Sequence, residues 1–194
     1  MELYLIRHGQ SEANALKVYS GWAEYSLTPL GEQQALRTGE LVKNIAFDRI
    51  ISSDLLRARQ TAALVFPGRT IEINSDIREV NLTRIAGQPI AEIKARLRAV
   101  SDKSLKEYDY SVLGCESVDH FMARIAHFLD GLDKSSPERI AVVAHNGALR
   151  AMAAHVLEAK WSTVSVKNDN CSVSVLESVR DHWTIKHWNY TKAL

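Results

Sequence analysis

The chain has 194 residues, and its 24 basic and 23 acidic side chains give a formal net charge of +1 at pH 7. This balance argues against nucleic acid or a membrane as a partner, and a hydrophobic content of 46% argues against disorder. No apolar run reaches the roughly 20 residues of a membrane-spanning helix, and we expect no secretory signal before the first strand. Cys115 and Cys171 are the two cysteines, both expected to be reduced, and the expected location is cytoplasmic.

Strand-like and helix-like segments alternate along the chain. Thr28 is a suitable N-cap, and Pro29 is favoured at a first helical position, so a helix is predicted from Pro29 to Ile45. Ser53 or Asp54 can cap the next helix, which is expected to stop before Pro67. The predicted strands are 1–6, 49–52, 70–73 and 140–144. The later predicted helices are 90–100, 117–132 and 147–157. A polar loop is predicted at 101–114, and a terminal hairpin is predicted to join 172–179 to 183–188.

This alternation predicts the fold class. Strands that alternate with helices favour a three-layer α/β/α arrangement, in which a mostly parallel sheet carries helices on both faces. The last two strands add an antiparallel hairpin at the C-terminus. Because the chain shows no internal repeat, low-complexity tract or linker, we expect a single domain over residues 1–194.

Cationic and imidazole side chains follow the predicted strands at the points where these end. Arg7 and His8 come directly after the first strand, His145 follows strand 140–144, and Arg57 lies in the first turn after strand 49–52. The carboxyl ends of parallel strands meet at one edge of a sheet, where open α/β sheets bind ligands. Helix N-termini at the same edge present free N–H groups that favour an anion. The sequence therefore predicts a site for a tetrahedral dianion such as phosphate.

Several sequence blocks, in order over nearly the whole chain, resemble the signatures of one family. Residues 5–14 read LIRHGQSEAN, 52–62 read SSDLLRARQTA, and 143–150 read VAHNGALR. Shorter matches are SGW at 20–22, LTPLG at 27–31, RE at 78–79 and GCES at 114–117. Together they resemble the histidine phosphatase superfamily, which includes the cofactor-dependent phosphoglycerate mutases. The resemblance implies the phosphoglycerate mutase-like fold.

The resemblance also implies roles for individual residues. His8 would be the nucleophile that forms a phosphohistidine, with its other ring nitrogen donating to a backbone carbonyl. Glu79 would be the general acid, while Arg7, Arg57 and His145 would hold the phosphoryl oxygens. No metal or cofactor is expected, because the arginines neutralise the charge. The further positions expected to bind phosphate or substrate are Asn14, Ser20, Gly21 and Gly147.

Hydrolysis of a small phosphorylated metabolite is the expected reaction. Mutases of this family are longer and usually have Trp where this chain has Ala13, and residues 19–22 and the compact length resemble the branch with α-ribazole phosphatase and broad-specificity phosphatases. A mutase-type phosphoryl transferase and a non-catalytic phosphate-binding regulatory protein are the alternatives. A homodimer is left open.

Residues 82–114 depart most from the family pattern. They are interpreted as a cap-like insertion that walls the site beyond the phosphate and sets the substrate. If Arg84 points inward, it would favour a second acidic group on the substrate. Arg150, within the block at 143–150, is interpreted as a structural or surface residue.

Overall fold

The computed structural model describes residues 1–180 and 182–192. The strands are β1 (Glu2–Arg7), β2 (Arg49–Ser52), β3 (Glu72–Ile73), β4 (Arg139–Ala144), β5 (Val173–Val179) and β6 (His182–Tyr190). The helices are α1 (Glu12–Leu16), α2 (Pro29–Val42), α3 (Leu56–Val65), α4 (Ile90–Val100), α5 (Asp102–Glu107), α6 (Val118–Asp130) and α7 (Asn146–Val156), with 3₁₀ turns at Thr83–Ile85, Ser111–Leu113 and Trp161–Thr163.

One six-stranded sheet has the order β3-β2-β4-β1-β5-β6. The first four strands in this order pair in parallel, whereas β5 pairs antiparallel with both β1 and β6. Along β1, alternate side chains enter opposite cores, as the two-residue period of a strand requires. Leu3 and Leu5 pack with α6 and α7, and Ile6 packs with α2 and α3. The three-layer α/β/α prediction, with its C-terminal hairpin, is therefore confirmed.

Two capping details differ from the sequence prediction. α3 begins after Leu55, whose apolar side chain cannot cap the helix, and the Glu24 carboxylate instead accepts the Leu56 N–H at 2.7 Å. Asp54, one of the predicted caps, is instead paired with Arg78. The short helix α1 was not predicted. It is closed at its N-terminus by a capping box between Ser11 and Asn14.

The prediction of a polar loop at 101–114 is wrong. Ser101 accepts the Ser104 N–H and starts α5, and a 3₁₀ turn follows at Ser111–Leu113. This stretch orders because it packs on a separate apolar cluster rather than on the sheet. The buried members of that cluster are Leu82, Ile85, Ile93, Leu97 and Tyr110. The single domain with a cap at 82–114 stays a prediction.

Other element boundaries agree with the prediction within a few residues. α2 ends at Val42, three residues before the predicted end, and β3 covers two residues of the predicted 70–73. Both cysteines are free thiols. None of the helices in the described part of the chain is long and apolar enough to cross a membrane.

Candidate active site

The register of β1 and β4 brings two histidines together. Arg7 pairs with Ala144 at the ends of these strands, and the His8 N–H donates to the Ala144 carbonyl at 2.9 Å. His145 directly follows Ala144, and the centroids of the His8 and His145 imidazole rings lie 5.2 Å apart. The predicted meeting of the two strand ends therefore occurs.

The His8 ring is buried and oriented by the backbone. Its Nδ1 lies 2.7 Å from the carbonyl oxygen of Gly9, so Nδ1–H donates and Nε2 keeps a free lone pair. Burial, followed by the charges of Arg57 and Arg7, holds the pKa of His8 well below its ordinary value. The imidazole is therefore neutral at neutral pH, and the predicted contact of His8 with a backbone carbonyl is confirmed.

His145 is fully buried and presents its Nδ1 to the same region. Ser53 Oγ accepts the Leu55 N–H and lies 2.8 Å from His145 Nε2, so the hydroxyl hydrogen can donate to Nε2. The proton of a neutral ring then resides on Nδ1. Burial, with the charge of Arg57 next, lowers the pKa of His145 far below its ordinary value, which favours this neutral form.

Three buried nitrogens around the two rings have no hydrogen-bond acceptor among the described residues. They are Arg7 Nε, Arg57 Nε and His145 Nδ1. Both guanidinium groups are also anchored by carbonyls: Arg57 Nη1 and Nη2 donate to those of Ala23 and Gly21 at 3.2 and 2.8 Å, and Arg7 Nη1 donates to that of Asn168. A buried donor without an acceptor costs about 1–3 kcal/mol. An anion whose oxygens contact these nitrogens would remove this cost.

The Glu79 carboxylate lies against the start of α7. Its Oε2 accepts the Gly147 N–H at 3.0 Å, and its Oε1 accepts the N–H of Val80 at 3.0 Å. A Cβ at position 147 would lie 2.0 Å from Glu79 Oε1, so this approach requires glycine. The Gly147 N–H, expected to bind phosphate, is thus occupied by Glu79.

The backbone of Glu79 is held by residues that the sequence analysis did not identify. Its carbonyl accepts from Trp22 Nε1 at 2.6 Å and from Arg124 Nη2 at 2.7 Å. Arg124 also donates to the carbonyls of Asp76 and Arg78 and to the buried carboxylate of Glu116. No local motif marks Arg124, because its acceptors lie 8 to 48 residues away along the chain.

Three further predicted residues lie at the site. Asn14, Ser20 and Gly21 line the same cavity as Arg7 and His8. Asn14 Oδ1 accepts from the Ser11 N–H and from Asn170 Nδ2, which leaves its own Nδ2 as the available donor.

The hypothesis for Arg84 required its side chain to point inward, and this condition is not met. Its side chain lines a separate cavity with Thr83 and Gly114, because the 3₁₀ turn at Thr83–Ile85 buries Ile85 and leaves Arg84 exposed. It therefore does not face the site of Arg7 and His8.

The cavity at the site has a volume of about 320 Å³, in the range of small-molecule sites. It extends from Arg7 and His8 to a second end, which is lined in part by the 82–114 segment and also by residues that the sequence analysis did not place at the site. The residues of that end are Tyr19, Ile90, Lys94, Tyr108, Tyr110, Arg150 and Trp161. A larger hollow of about 490 Å³ lies beyond Trp161 but contains none of the predicted site residues.

The sequence matches the model of the histidine phosphatase superfamily (branch 1) over residues 3–191. The chain belongs to this superfamily. It is 29% identical over 192 residues to the broad-specificity phosphatase YOR283W of Saccharomyces cerevisiae, which covers 93% of this chain and 81% of the relative. It is 28% identical over 193 residues to a probable phosphoglycerate mutase GpmB of Salmonella paratyphi A, and the match covers 97% of this chain and 90% of the relative.

A solved structure shows the same fold. The α-ribazole phosphatase of Shigella flexneri superposes with a TM-score of 0.87 at 24% identity, covering all of this chain and 98% of the other. Membership of the superfamily confirms the resemblance seen in the sequence. The expected enzyme class, a histidine-type phosphatase, is confirmed with it.

Proposed function

We propose that this protein is a metal-independent phosphomonoester hydrolase that forms a phosphohistidine on His8 and acts on a small phosphorylated metabolite. The observation that carries the proposal is the set of three buried nitrogens without acceptors, Arg7 Nε, Arg57 Nε and His145 Nδ1. Their side chains lie near the His8 imidazole, which is neutral and has a free Nε2. Together they offer a phosphoryl group both a nucleophile and donors for its oxygens.

Binding begins with the phosphate dianion. Arg7, Arg57 and His145 donate to its oxygens, and Nδ2 of Asn14 adds a neutral donor. Ser20 and Gly21 form the adjacent wall, and the Gly21 carbonyl keeps the Arg57 guanidinium in place. Donors already fixed in a buried site need no reorganisation when charge develops in the transition state.

The chemistry has two steps. In the first, the His8 Nε2 lone pair attacks phosphorus, the bond from phosphorus to the ester oxygen breaks, and protonated Glu79 gives its proton to that oxygen. The alcohol product leaves. In the second, the Glu79 carboxylate takes a proton from water, the water oxygen bonds to phosphorus, and the P–N bond breaks. Inorganic phosphate and neutral His8 result.

Residues 82–114 act as a cap in this proposal. Ile90, Lys94, Tyr108 and Tyr110 come from this segment and line the cavity that Arg7 and His8 begin. A cavity of about 320 Å³ suits a small metabolite better than a folded phosphoprotein.

The test is turnover of p-nitrophenyl phosphate in the presence of a chelator, with an alkaline quench to trap acid-labile phosphohistidine. With the phosphoryl group of the substrate labelled, we expect hydrolysis and transfer of the label to a peptide containing His8. Both should be lost in His8→Ala and retained in His182→Ala, which changes an exposed histidine of β6. Phosphate binding without turnover would instead indicate a regulatory protein. Transfer of the label to phosphoglycerate faster than to water would indicate a mutase.

A further inference from the structure

We infer that Asn170 is a positioning residue for the phosphoryl group. Its side-chain amide fixes the amide of Asn14, so that Nδ2 of Asn14, rather than Oδ1, faces the phosphate. This inference deepens the proposed function and rests on it, because Asn14 is one of the phosphate donors in that proposal. The block at residues 5–14 contains Asn14 but nothing that orients its amide, and Asn170 lies 156 residues further along the chain.

The start of β5 brings Asn170 to the end of β1. The two strands pair antiparallel, with Val173 opposite Ile6. Just before β5, Cys171 has a left-handed backbone conformation with a φ of 58°, and its N–H donates to the last carbonyl of β1 at 3.0 Å. A left-handed residue interrupts extended backbone, so the strand does not continue through this point. The Asn170 side chain consequently contacts the backbone of His8.

The amide nitrogen of Asn170 has two hydrogens and two acceptors. Its Nδ2 lies 3.0 Å from the His8 carbonyl oxygen and 3.2 Å from Asn14 Oδ1. A carbonyl oxygen can only accept, so the His8 carbonyl decides which end of the Asn170 amide faces it. The nitrogen therefore points toward His8 and Asn14, and each of its hydrogens has one acceptor.

The same polarity argument fixes the amide of Asn14. Its Oδ1 also accepts the Ser11 N–H at 3.1 Å, and a backbone N–H can only donate. Two donors from distant segments thus hold this oxygen, and Nδ2 is left for the cavity that Asn14 lines with Arg7 and His8. A negatively charged phosphoryl oxygen is attracted by an N–H donor and repelled by an amide oxygen.

The side-chain chemistry at position 170 separates this role from simple packing. Aspartate has nearly the shape of asparagine but no hydrogen to donate when ionised, and its carboxylate would face two acceptor oxygens. Alanine removes both hydrogen bonds without adding this repulsion. Serine has one O–H and can satisfy one acceptor. A side chain that only fills space would tolerate Asn170→Asp best, whereas a side chain needed as a donor would tolerate it least.

The experiment measures hydrolysis of p-nitrophenyl phosphate, and inhibition by orthovanadate as a phosphate-like oxyanion, in variants of Asn170. We expect Asn170→Ala to lower kcat/KM about 30-fold and Asn170→Asp about 100-fold, with the smallest loss in Asn170→Ser. The inhibition constant of orthovanadate should rise in the same order. In an Asn14→Ala background, Asn170→Ala should cost no more than about 3-fold further, through the lost bond to the His8 carbonyl.

The matched control is Asn189→Gly. The Asn189 amide holds the same loop through two hydrogen bonds to Asp169, the neighbour of Asn170. Within the described part of the chain it forms no hydrogen bond to Asn14 or His8, and glycine suits its φ of 59°. This variant should change kcat/KM by less than about 2-fold.

Three results would overturn the role of Asn170, in variants that remain folded by circular dichroism. They are a smaller loss in Asn170→Asp than in Asn170→Ala, additive losses in the double variant with Asn14→Ala, and a loss in Asn189→Gly equal to that in Asn170→Ala. Orthovanadate binding reports on Asn170 even without turnover. Absence of turnover and of phosphohistidine in the unchanged protein would therefore overturn the proposed function separately.

Discussion

The two ends of the active-site cavity are built in different ways. At the phosphate end, His8, Arg57 and His145 are at most 4% exposed, and they sit on strand ends and the first turn of a helix. At the leaving-group end, Lys94 is exposed and Tyr108 is 42% exposed, and both come from the 82–114 segment. The first end rests on the central sheet, and the second rests on an apolar cluster of its own.

This difference separates the reaction at phosphorus from the choice of substrate. Charges removed from water interact strongly, so donors at the buried end have a large effect on a developing charge. Charges at the exposed end are screened, so each changes affinity by a smaller factor. Substitutions should therefore cost most at the phosphate end and should affect all substrates there alike.

The largest effect is expected for Arg57→Ala. The side chain is 1% exposed and supplies one of the three donors without an acceptor, so we expect kcat/KM to fall by about 10²–10³-fold for every phosphomonoester. Arg59→Ala, which removes an exposed arginine from the same helix, should change kcat/KM by less than about 2-fold. Similar losses in the two variants, with both still folded by circular dichroism, would contradict the difference between the two ends.

A second large effect is expected for Gly147→Ala. The new Cβ would overlap Glu79 Oε1, so the carboxylate must move away from the leaving oxygen. We expect kcat to fall about 10²-fold, within the range of general acid catalysis. In a Glu79→Gln background the same change should cost little more, because both changes act on one group. Additive losses in the double variant would show that Gly147 acts independently of Glu79.

The phosphate end could be predicted from the sequence because its geometry follows from local rules. Arg7, His8 and His145 stand at the ends of apolar strands, and parallel pairing alone brings those ends together. The fold class followed from the same alternation of strands and helices. Helix caps do not follow from such local rules. The first N–H of α3, that of Leu56, is bound by the carboxylate of Glu24, 32 residues earlier in the chain.

The individual side chains of the leaving-group end could not be predicted, although the 82–114 segment was expected there, because they depend on packing between distant segments. Arg84 was considered as an arginine that could point inward, but the turn that buries Ile85 directs it elsewhere. Arg150 reaches the cavity through contacts with Trp161 and Val164, which lie in an irregular connection after α7. No period or motif in the sequence encodes such contacts.

A moderate effect is expected for Arg124→Gln. Arg124 touches no reacting atom in the proposed mechanism; it acts as a positioning residue through the Glu79 carbonyl and the Glu116 carboxylate. We expect kcat to fall about 10-fold with KM nearly unchanged, and Arg124→Lys to recover part of the loss. His120→Ala also removes a contact to Glu116 but none to Glu79, and it should leave kcat unchanged. A rise in KM alone would contradict a role in placing the acid.

The smallest effect concerns the protonation of His8. Burial, then the charges of Arg57 and Arg7, lowers the pKa of His8, so the neutral nucleophile should persist at pH values below the ordinary histidine pKa of about 6.5. Long-range ¹⁵N–¹H NMR should therefore find the His8 ring neutral at pH 6.5. Arg57→Gln removes one cation and should raise the pKa of His8, moving its titration to higher pH, while burial keeps the pKa below that of free histidine. An ordinary pKa for His8 in the unchanged protein would mean that water reaches the phosphate end as freely as the leaving-group end.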